Sequence, residues 1–341
     1  MPTDEILAYN VQYFDERAQL IREYRLNSYK DGTLELLDIK SNKMYLKRIY
    51  CPDVPRERLF VGSVVNVYGR ALQVLEAADL GTGMYSRSRT SSAKGAAVIA
   101  DAQDLPSVMA ALQGRFTSLR ALRTVAVADL AADVRDALAD GGPARGLALI
   151  VDVYTQGSQT APSDLADTLT ACSTVTAFVA LPDGHPVSGR NSAAAELAAG
   201  APATLCLIKP HVVEERRVGE LLATIVECGF ELAGLQLTTL DAKMVHEFFA
   251  PYKGVWPRHE DVVAHCLEGP ALAVQIRSDV ASFRELCGPS DIKLAQALRP
   301  KSLRAGFGTS IVRNAVHCTD LEEDGFLECN YFFNVLQGVL A

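Results

Sequence analysis

Apolar residues change their spacing along the chain, and the change marks its parts. In residues 1–80 the pattern is mainly that of strands. "GTLELLDI" alternates with a two-residue period, "KSNK" supplies a turn, and "MYLKRIY" follows as a second run. "LFVGSVVNVYGRALQVLEAAD" adds two more β-rich runs broken at Gly69. No catalytic constellation stands here, so the segment reads as a small β domain for binding or packing. "GTGMYSRSRTSSAKG", residues 81–95, is small, polar and flexible, as a linker with solvated arginines would be.

Residues 96–200 are alanine-rich. "AAVIA", "LRALRTVAV" and "GLALIVDVY" read as strands. "LPSVMAALQGRF", "ADLAADVRDALAD" and "PSDLADTLTAC" read as helices, the last with Ser163 as N-cap, and "SAAAELAAG" as a short helix ended by Gly200. This order predicts an α/β sandwich. Residues 204–341 repeat it more clearly. "TLCLIKP", "FELAGLQLTTL" and "PALAVQIRS" are strands. "VGELLATIVECG", "DAKMVHEFFAPY", "PRHEDVVAHCLEG" and "VASFRELCG" are helices, with Gly229, Asp241 and Gly288 as their punctuation. The two halves look like a duplication with unequal decay.

Length and charge narrow this picture. A chain of 341 residues favours two or three domains. Its net charge of −8 argues against a general nucleic-acid binder. Residues 1–90 hold 13 Lys/Arg and 12 Asp/Glu, a net +1; the remainder holds 20 and 29, a net −9. The first segment is therefore the part least repelled by an acidic partner. The eight cysteines form no CxxC pair and are expected reduced and mostly buried. "MPTDEILAY" has acids where a signal peptide has bases, and no apolar run approaches the ~20 residues that span a bilayer. A soluble cytosolic protein is expected.

Candidate chemistry lies in "VRNAVHCTDLEEDGFLECNYFF". His317 has Asn314 three residues before it and Glu328 eleven after. A histidine that attacks phosphorus needs cations for the phosphate charge and a partner for its ring. Lys209, Arg284 and Arg304 are the candidate cations. Lys209 ends an apolar strand, a usual place for a ligand-facing group. Glu328 is placed to hold the non-reacting ring nitrogen and fix the tautomer. On spacing alone a structural histidine remains open. The spacing of His246, His259, His265 and Cys266 matches no zinc pattern; they read as solvated helix positions, with no metal site expected.

The combination "LCLIKP…VGELLATIVECGFELAGLQ…EGPALAVQI…FRELCGPS…LRAGFG…VRNAVHCTD…E" resembles the nucleoside diphosphate kinase family over nearly all of residues 204–334. The resemblance implies a ferredoxin-like α/β core. It also implies a phosphohistidine ping-pong cycle that moves a γ-phosphate between nucleotides, with Mg²⁺ on the nucleoside triphosphate. The family's phosphate and nucleotide residues fall on Lys209, Arg284, Arg304 and Asn314, its phosphorylated histidine on His317, and its supporting glutamate on Glu328. Departures are also visible. Phe249 stands for a tyrosine, Ser290 for a phosphate-contacting threonine and His211 for an aspartate. The place of the base-stacking aromatic falls near Arg258 or His259, where no Phe or Tyr stands. The segment from Ser290 to Arg304 is longer than the family's, which would misplace the arginine. Weakened nucleotide binding is expected.

The middle segment resembles a degenerate copy. "GAAVIADA" puts Ala100 in the place of Lys209. His185 and Glu196 keep the eleven-residue separation, while Leu181 and Pro182 replace the Arg-Asn pair, so this copy is expected inactive. "YFDERAQLIREYRLNSYKDGTLELLDIKSNKMYLKRIY" and "LFVGSVVNVYGRALQVLEAAD" resemble the DM10 domain. The whole then reads as a multidomain chain: a β-rich, PH-like DM10 domain at 1–90, a degenerate kinase-like domain at 91–203 and a kinase domain at 204–341. This arrangement is that of ciliary members of the family. It implies an axonemal protein of the doublet-microtubule lumen in cilium or flagellum, a part of the cytoskeleton. The implied partners are tubulin and other inner proteins, with nucleotide but neither nucleic acid nor membrane. Lys30, Lys40, Lys43 and Lys47 would face acidic tubulin or plain solvent. Tandem copies allow an internal pseudo-dimer. The favoured role is a structural scaffold, with a C-terminal domain that retains nucleotide binding; the alternative is a nucleoside diphosphate kinase acting through His317.

Overall fold

The computed structural model describes residues 6–15, 18, 20–83, 90–116, 118–139, 147–156, 161–182, 189–256 and 258–337. The chain divides into two compact units. One holds Met1–Ser91, Gln156–Gln159 and Leu240–Gly269; the other holds Ser92–Thr155, Thr160–Thr239 and Pro270–Ala341.

The first unit contains strands β1 (Leu7–Asp15), β2 (Leu20–Ser28), β3 (Thr33–Asp38), β4 (Lys43–Tyr50), β5 (Val64–Val67) and β6 (Arg70–Ala77). They form one antiparallel sheet in the order β4-β3-β2-β1-β6-β5. Alternate residues point inward: Tyr9 and Val11, Tyr24 and Leu26, Leu34 and Leu36, Leu72 and Val74 are all buried in one core. That is the two-residue period seen in the sequence. Between β5 and β6 the chain reverses through Tyr68 and Gly69, at φ 49° and 79°. A two-residue hairpin of this twist needs positive φ at both positions, which explains the break at Gly69.

The segment Leu240–Gly269 belongs to the same unit and carries two short helices, Ala242–Phe248 and His259–Cys266. Phe248, Phe249, Tyr252 and Trp256 pack ring against ring between them. His259 and His265 are buried here, not solvated. Each ring can be buried because its nitrogens find partners: His259 Nε2 lies 3.0 Å from the Phe249 carbonyl, and His265 Nδ1 lies 2.7 Å from Glu268 Oε2. Glu268 also accepts from Asn66 Nδ2 on β5, at 3.4 Å.

The second unit is built on one eight-stranded sheet. Its strands are β7 (Thr90–Ile99), β8 (Ser118–Ala126), β9 (Leu147–Gln156), β10 (Val175–Leu181), β11 (Thr204–Ile208), β12 (Leu232–Thr238), β13 (Ala271–Ile276) and β14 (Val316–Cys318). Their order is β10-β7-β9-β8-β12-β13-β11-β14. Each half is a ferredoxin-like sheet, 4-1-3-2 in the first copy and 2-3-1-4 in the second. The palindrome meets where β8 and β12 pair antiparallel at Arg123 and Gln236. The duplication is thus closed into an internal pseudo-dimer. The equivalent helices Leu105–Arg115 and Val218–Glu227 pack together over this seam. Gly219 permits the approach, since a Cβ there would lie 2.7 Å from the Ala110 amide nitrogen.

Four further sequence expectations change. Strand β7 takes up residues 90–95 of the supposed linker, because Lys94 and Gly95 pair with Leu181 and Ala180; residues 84–89 lie outside the described set. Strand β10 was not expected; it is an edge strand and only half buried. Ser163 sits inside the helix Ala161–Thr170 instead of capping it, Pro162 being tolerated in a first turn. The fourth change concerns the degenerate histidine. Strands β7 and β11 correspond with Ile99 at Ile208 and Ala100 at Lys209. His317 pairs with Leu207, and the counterpart of Leu207, Val98, pairs with Ala177. Ala177, not His185, therefore holds the histidine's place. The eleven-residue spacing is coincidence, and His185 itself lies outside the described residues.

Candidate active site

Most of the predicted site residues hang on one stretch of chain, Val312–Asp320, which enters and leaves β14. Lys209 follows directly on β11, where Pro210 starts a short helix with its φ already set. Its ammonium donates to the Val312 carbonyl at 2.8 Å and to Asn314 Oδ1 at 2.7 Å. Its amide donates to the Ala315 carbonyl. Asn314 in turn donates to the Ser290 carbonyl at 3.4 Å. Arg304, from the helix Leu303–Phe307, donates to the carbonyls of Val316 and Gly288 and touches Cys318 Sγ. The long segment after Ser290 folds into the helix Ile292–Leu298 and does not misplace this arginine. Arg284 donates to the Thr319 carbonyl and pairs with Asp320. Lys209, Arg304, Asn314 and His317 are all more than nine-tenths buried, whereas the Arg284 side chain is 41% exposed. Phe249 sits in the aromatic cluster of the first unit.

His317 presents Nε2 to both carboxylate oxygens of Glu328, at 3.1 and 3.2 Å. Glu328 comes from the helix Asp324–Asn330. A carboxylate only accepts, so the ring nitrogen facing it carries the proton. The lone pair then belongs to Nδ1, and the neutral imidazole is a nucleophile at that atom. Ala315, two residues earlier, has φ 67°, and Val316 N donates to the Asn314 carbonyl across it at 2.9 Å. This is a γ-turn of the strained kind, held by a non-glycine residue, and such strain collects at functional sites. Sequence patterning gives no sign of it.

A thiol cluster was also missed, because its members are far apart in the chain. Cys318 and Cys206 face each other across β14 and β11, with Cys287 alongside. A hydrogen bond from the Cys287 thiol and the charge of Arg304 draw the Cys318 thiol below its usual range, against its burial. Burial pushes Cys206 and Cys287 up. Among the described residues no group of three His, Cys, Asp or Glu side chains is placed to hold a metal ion. The converging groups are cations and amides, which suit phosphate oxygens.

The first copy keeps the frame but has Ala100 and Ala177 where the second has Lys209 and His317. Glu196 is the fifth residue of the helix Ser192–Ala198, as Glu328 is of its own helix. With Ala177 in place of the histidine, its carboxylate is bound instead by Arg277, through Nε at 2.8 Å and through Nη2.

Residues 202–337 match the model of the family "Nucleoside diphosphate kinase". Over 97% of its length the chain is 32% identical to the nucleoside diphosphate kinase homolog 7 of Rattus norvegicus, covering 94% of that protein. It belongs to this family of nucleoside diphosphate kinase homologs. A mouse relative matches to the same extent. The nucleoside diphosphate kinase of Chlamydia abortus is 33% identical over 136 residues, 39% of this chain and 94% of that one. A crystal structure of the Aquifex aeolicus nucleoside diphosphate kinase is 28% identical, with a TM-score of 0.38, over 40% of this chain and 97% of that one.

Proposed function

We propose that residues 204–341 transfer the γ-phosphate of a nucleoside triphosphate to a nucleoside diphosphate through a phosphohistidine on His317. The observation that carries this reading is the pairing of His317 Nε2 with Glu328, on the same stretch of chain that gathers Lys209, Asn314 and Arg304. The Nδ1 lone pair attacks the γ-phosphorus, the bond to the β,γ-bridging oxygen breaks, and the diphosphate leaves. A terminal oxygen of a second diphosphate then attacks the phosphorus, and the N–P bond breaks. Lys209, Arg304 and Arg284 offset the phosphate charge and must exchange part of their present hydrogen bonds for phosphate oxygens. The nucleotide enters as its Mg²⁺ complex, the ion serving to neutralise phosphate charge. Incubation with radiolabelled Mg-ATP is expected to give an acid-labile label that His317→Ala abolishes. No label above that variant would end the reading.

The first copy favours a second role alongside it. Residues 91–203 have lost the lysine and the histidine, yet they supply half of a continuous sheet. We propose that this copy and the DM10-like domain, residues 1–90, make the chain a scaffold within ciliary doublet microtubules, bound to tubulin and neighbouring luminal proteins. Extraction of isolated doublets tests this. Release of the protein by high salt or protease without opening of the tubule wall would exclude a luminal site.

A further inference from the structure

Strand β4 ends its sheet, and among the described residues no strand pairs with its outer edge; the Tyr68 hydroxyl donates to the Tyr50 carbonyl at the end of the strand, at 3.2 Å. Seven of its eight residues are exposed, and only Leu46 is half buried. Unprotected edges are normally short or blunted, because their free amides and carbonyls recruit other strands. This one is eight residues long and displays Met44, Tyr45, Ile49 and Tyr50, with Tyr50 at 60% exposure.

The charge along the strand itself has one sign, although Lys43 lies opposite Asp38 in the β3 register. From Ile39 to Pro52 the chain carries Lys40, Lys43, Lys47 and Arg48 and no acidic residue, in a protein whose net charge is −8. Arg48 is engaged internally: it donates to Asp31 and Thr33 and lies over the Tyr29 ring. Lys40, Lys43 and Lys47 are exposed, and no carboxylate of the described residues pairs with them.

We propose that the outer edge of β4 binds an extended acidic segment of a partner protein as a seventh strand. Backbone hydrogen bonds along the edge would give the affinity. The lysines would select acidic side chains, and Met44, Tyr45, Ile49 and Tyr50 would cover apolar ones. The same features act against a second copy of this chain. Antiparallel self-pairing centred on Tyr45 would set Lys43 against Lys47, and like charges opposite one another are destabilising. Two register shifts toward β3 also bend the strand, which disfavours flat stacking while leaving a single flexible strand free to follow. The inference rests on the scaffold reading only so far as the N-terminal domain binds a protein, and it gives that binding a place and a chemistry.

The test uses the full chain and a fluorescent peptide alternating glutamate with valine. Anisotropy is expected to show binding that weakens about tenfold or more when glutamine replaces glutamate, and likewise in the double variant Lys43→Glu, Lys47→Glu. Hydrogen exchange should report new protection of β4 amides, which charge attraction alone would not produce. The variant's melting curve should stay unchanged, since both lysines are solvated. Equal binding by the charge-reversed variant, or binding without protection of β4, overturns the proposal. So does tighter binding to duplex DNA or to phosphatidylserine vesicles than to the peptide, or wild-type self-association that the charge reversal abolishes. Failure of the wild-type chain to bind the peptide while it still co-sediments with microtubules also overturns it and spares the tubulin scaffold. Peptide binding without co-sedimentation supports it and removes tubulin as the partner.

Discussion

Both carboxylate oxygens of Glu328 lie within 3.2 Å of His317 Nε2, while Glu196, at the same position of the equivalent helix, is bound to Arg277. Two carboxylates at equivalent positions of the two copies serve different ends. One sets the tautomer of an imidazole; the other ties two copies together.

This divergence can be measured. Glu328→Gln is expected to slow formation of the phosphohistidine by about tenfold to a hundredfold, as loss of an orienting partner for a functional histidine does. Glu196→Gln is expected to leave labelling unchanged. It should cost under about 1 kcal/mol in denaturant unfolding, since its ion pair with the partly exposed Arg277 is screened by water. Equal effects of the two substitutions on labelling would contradict the assignment of the site to the second copy alone.

Ala315→Gly probes the strained turn. A non-glycine residue at φ 67° costs on the order of 1–2 kcal/mol. Glycine removes most of that cost and gives back part of it through unfolded-chain entropy. The variant is expected to melt slightly higher than the parent and to phosphorylate more slowly, because Asn314 and His317 flank a turn that is no longer held. A variant both faster and more stable would show that the strain has no part in positioning.

Gly219→Ala tests the seam between the copies. The new methyl meets the Ala110 backbone, which cannot swing aside as a side chain would. The expected loss is about 1–3 kcal/mol, typical of overpacking, despite alanine's better helix propensity. Calorimetry should show the melting of both copies shifted together, since they share one sheet.

Asp31 gives a test by pH in the N-terminal sheet. Hydrogen bonds from Thr33, with the Arg48 charge beside it, hold its carboxyl at about 2, below the 3.8 of an unperturbed aspartate. A folded-state value below the unfolded one stabilises the fold above the unfolded value. That stability fades as pH falls from about 4 and is gone below about 2. Asp31→Asn should flatten this part of the stability profile, measured by the unfolding midpoint across that window. An unchanged profile would mean that other carboxylates carry it.

The sequence made most of the strands and the glycine stops legible, because they rest on local spacing, and the family resemblance named the residues that the structure gathers around β14. Arg304 was found this way even across the longer segment after Ser290. What was hidden depends on distant pairing. The burial of His265 rests on Glu268 and, through it, on Asn66, 202 residues away from that glutamate. The Cys206, Cys287 and Cys318 cluster needs three elements to meet. Spacing also misled where loop length changed: His185 kept the right distance to Glu196, yet strand register gives the histidine's place to Ala177. A helix position survived the duplication better than an interval in the chain did.

The antiparallel join of β8 to β12 has a consequence for heredity. Fusing two copies turns what would be a boundary between molecules into the interior of one, so the first copy permanently covers an edge that the second would otherwise bare. Lesions in the first half would then appear as loss of stability in the second. If the working half were expressed by itself, its bared β12 margin would seek a replacement, and the nearest match is another molecule of the same kind.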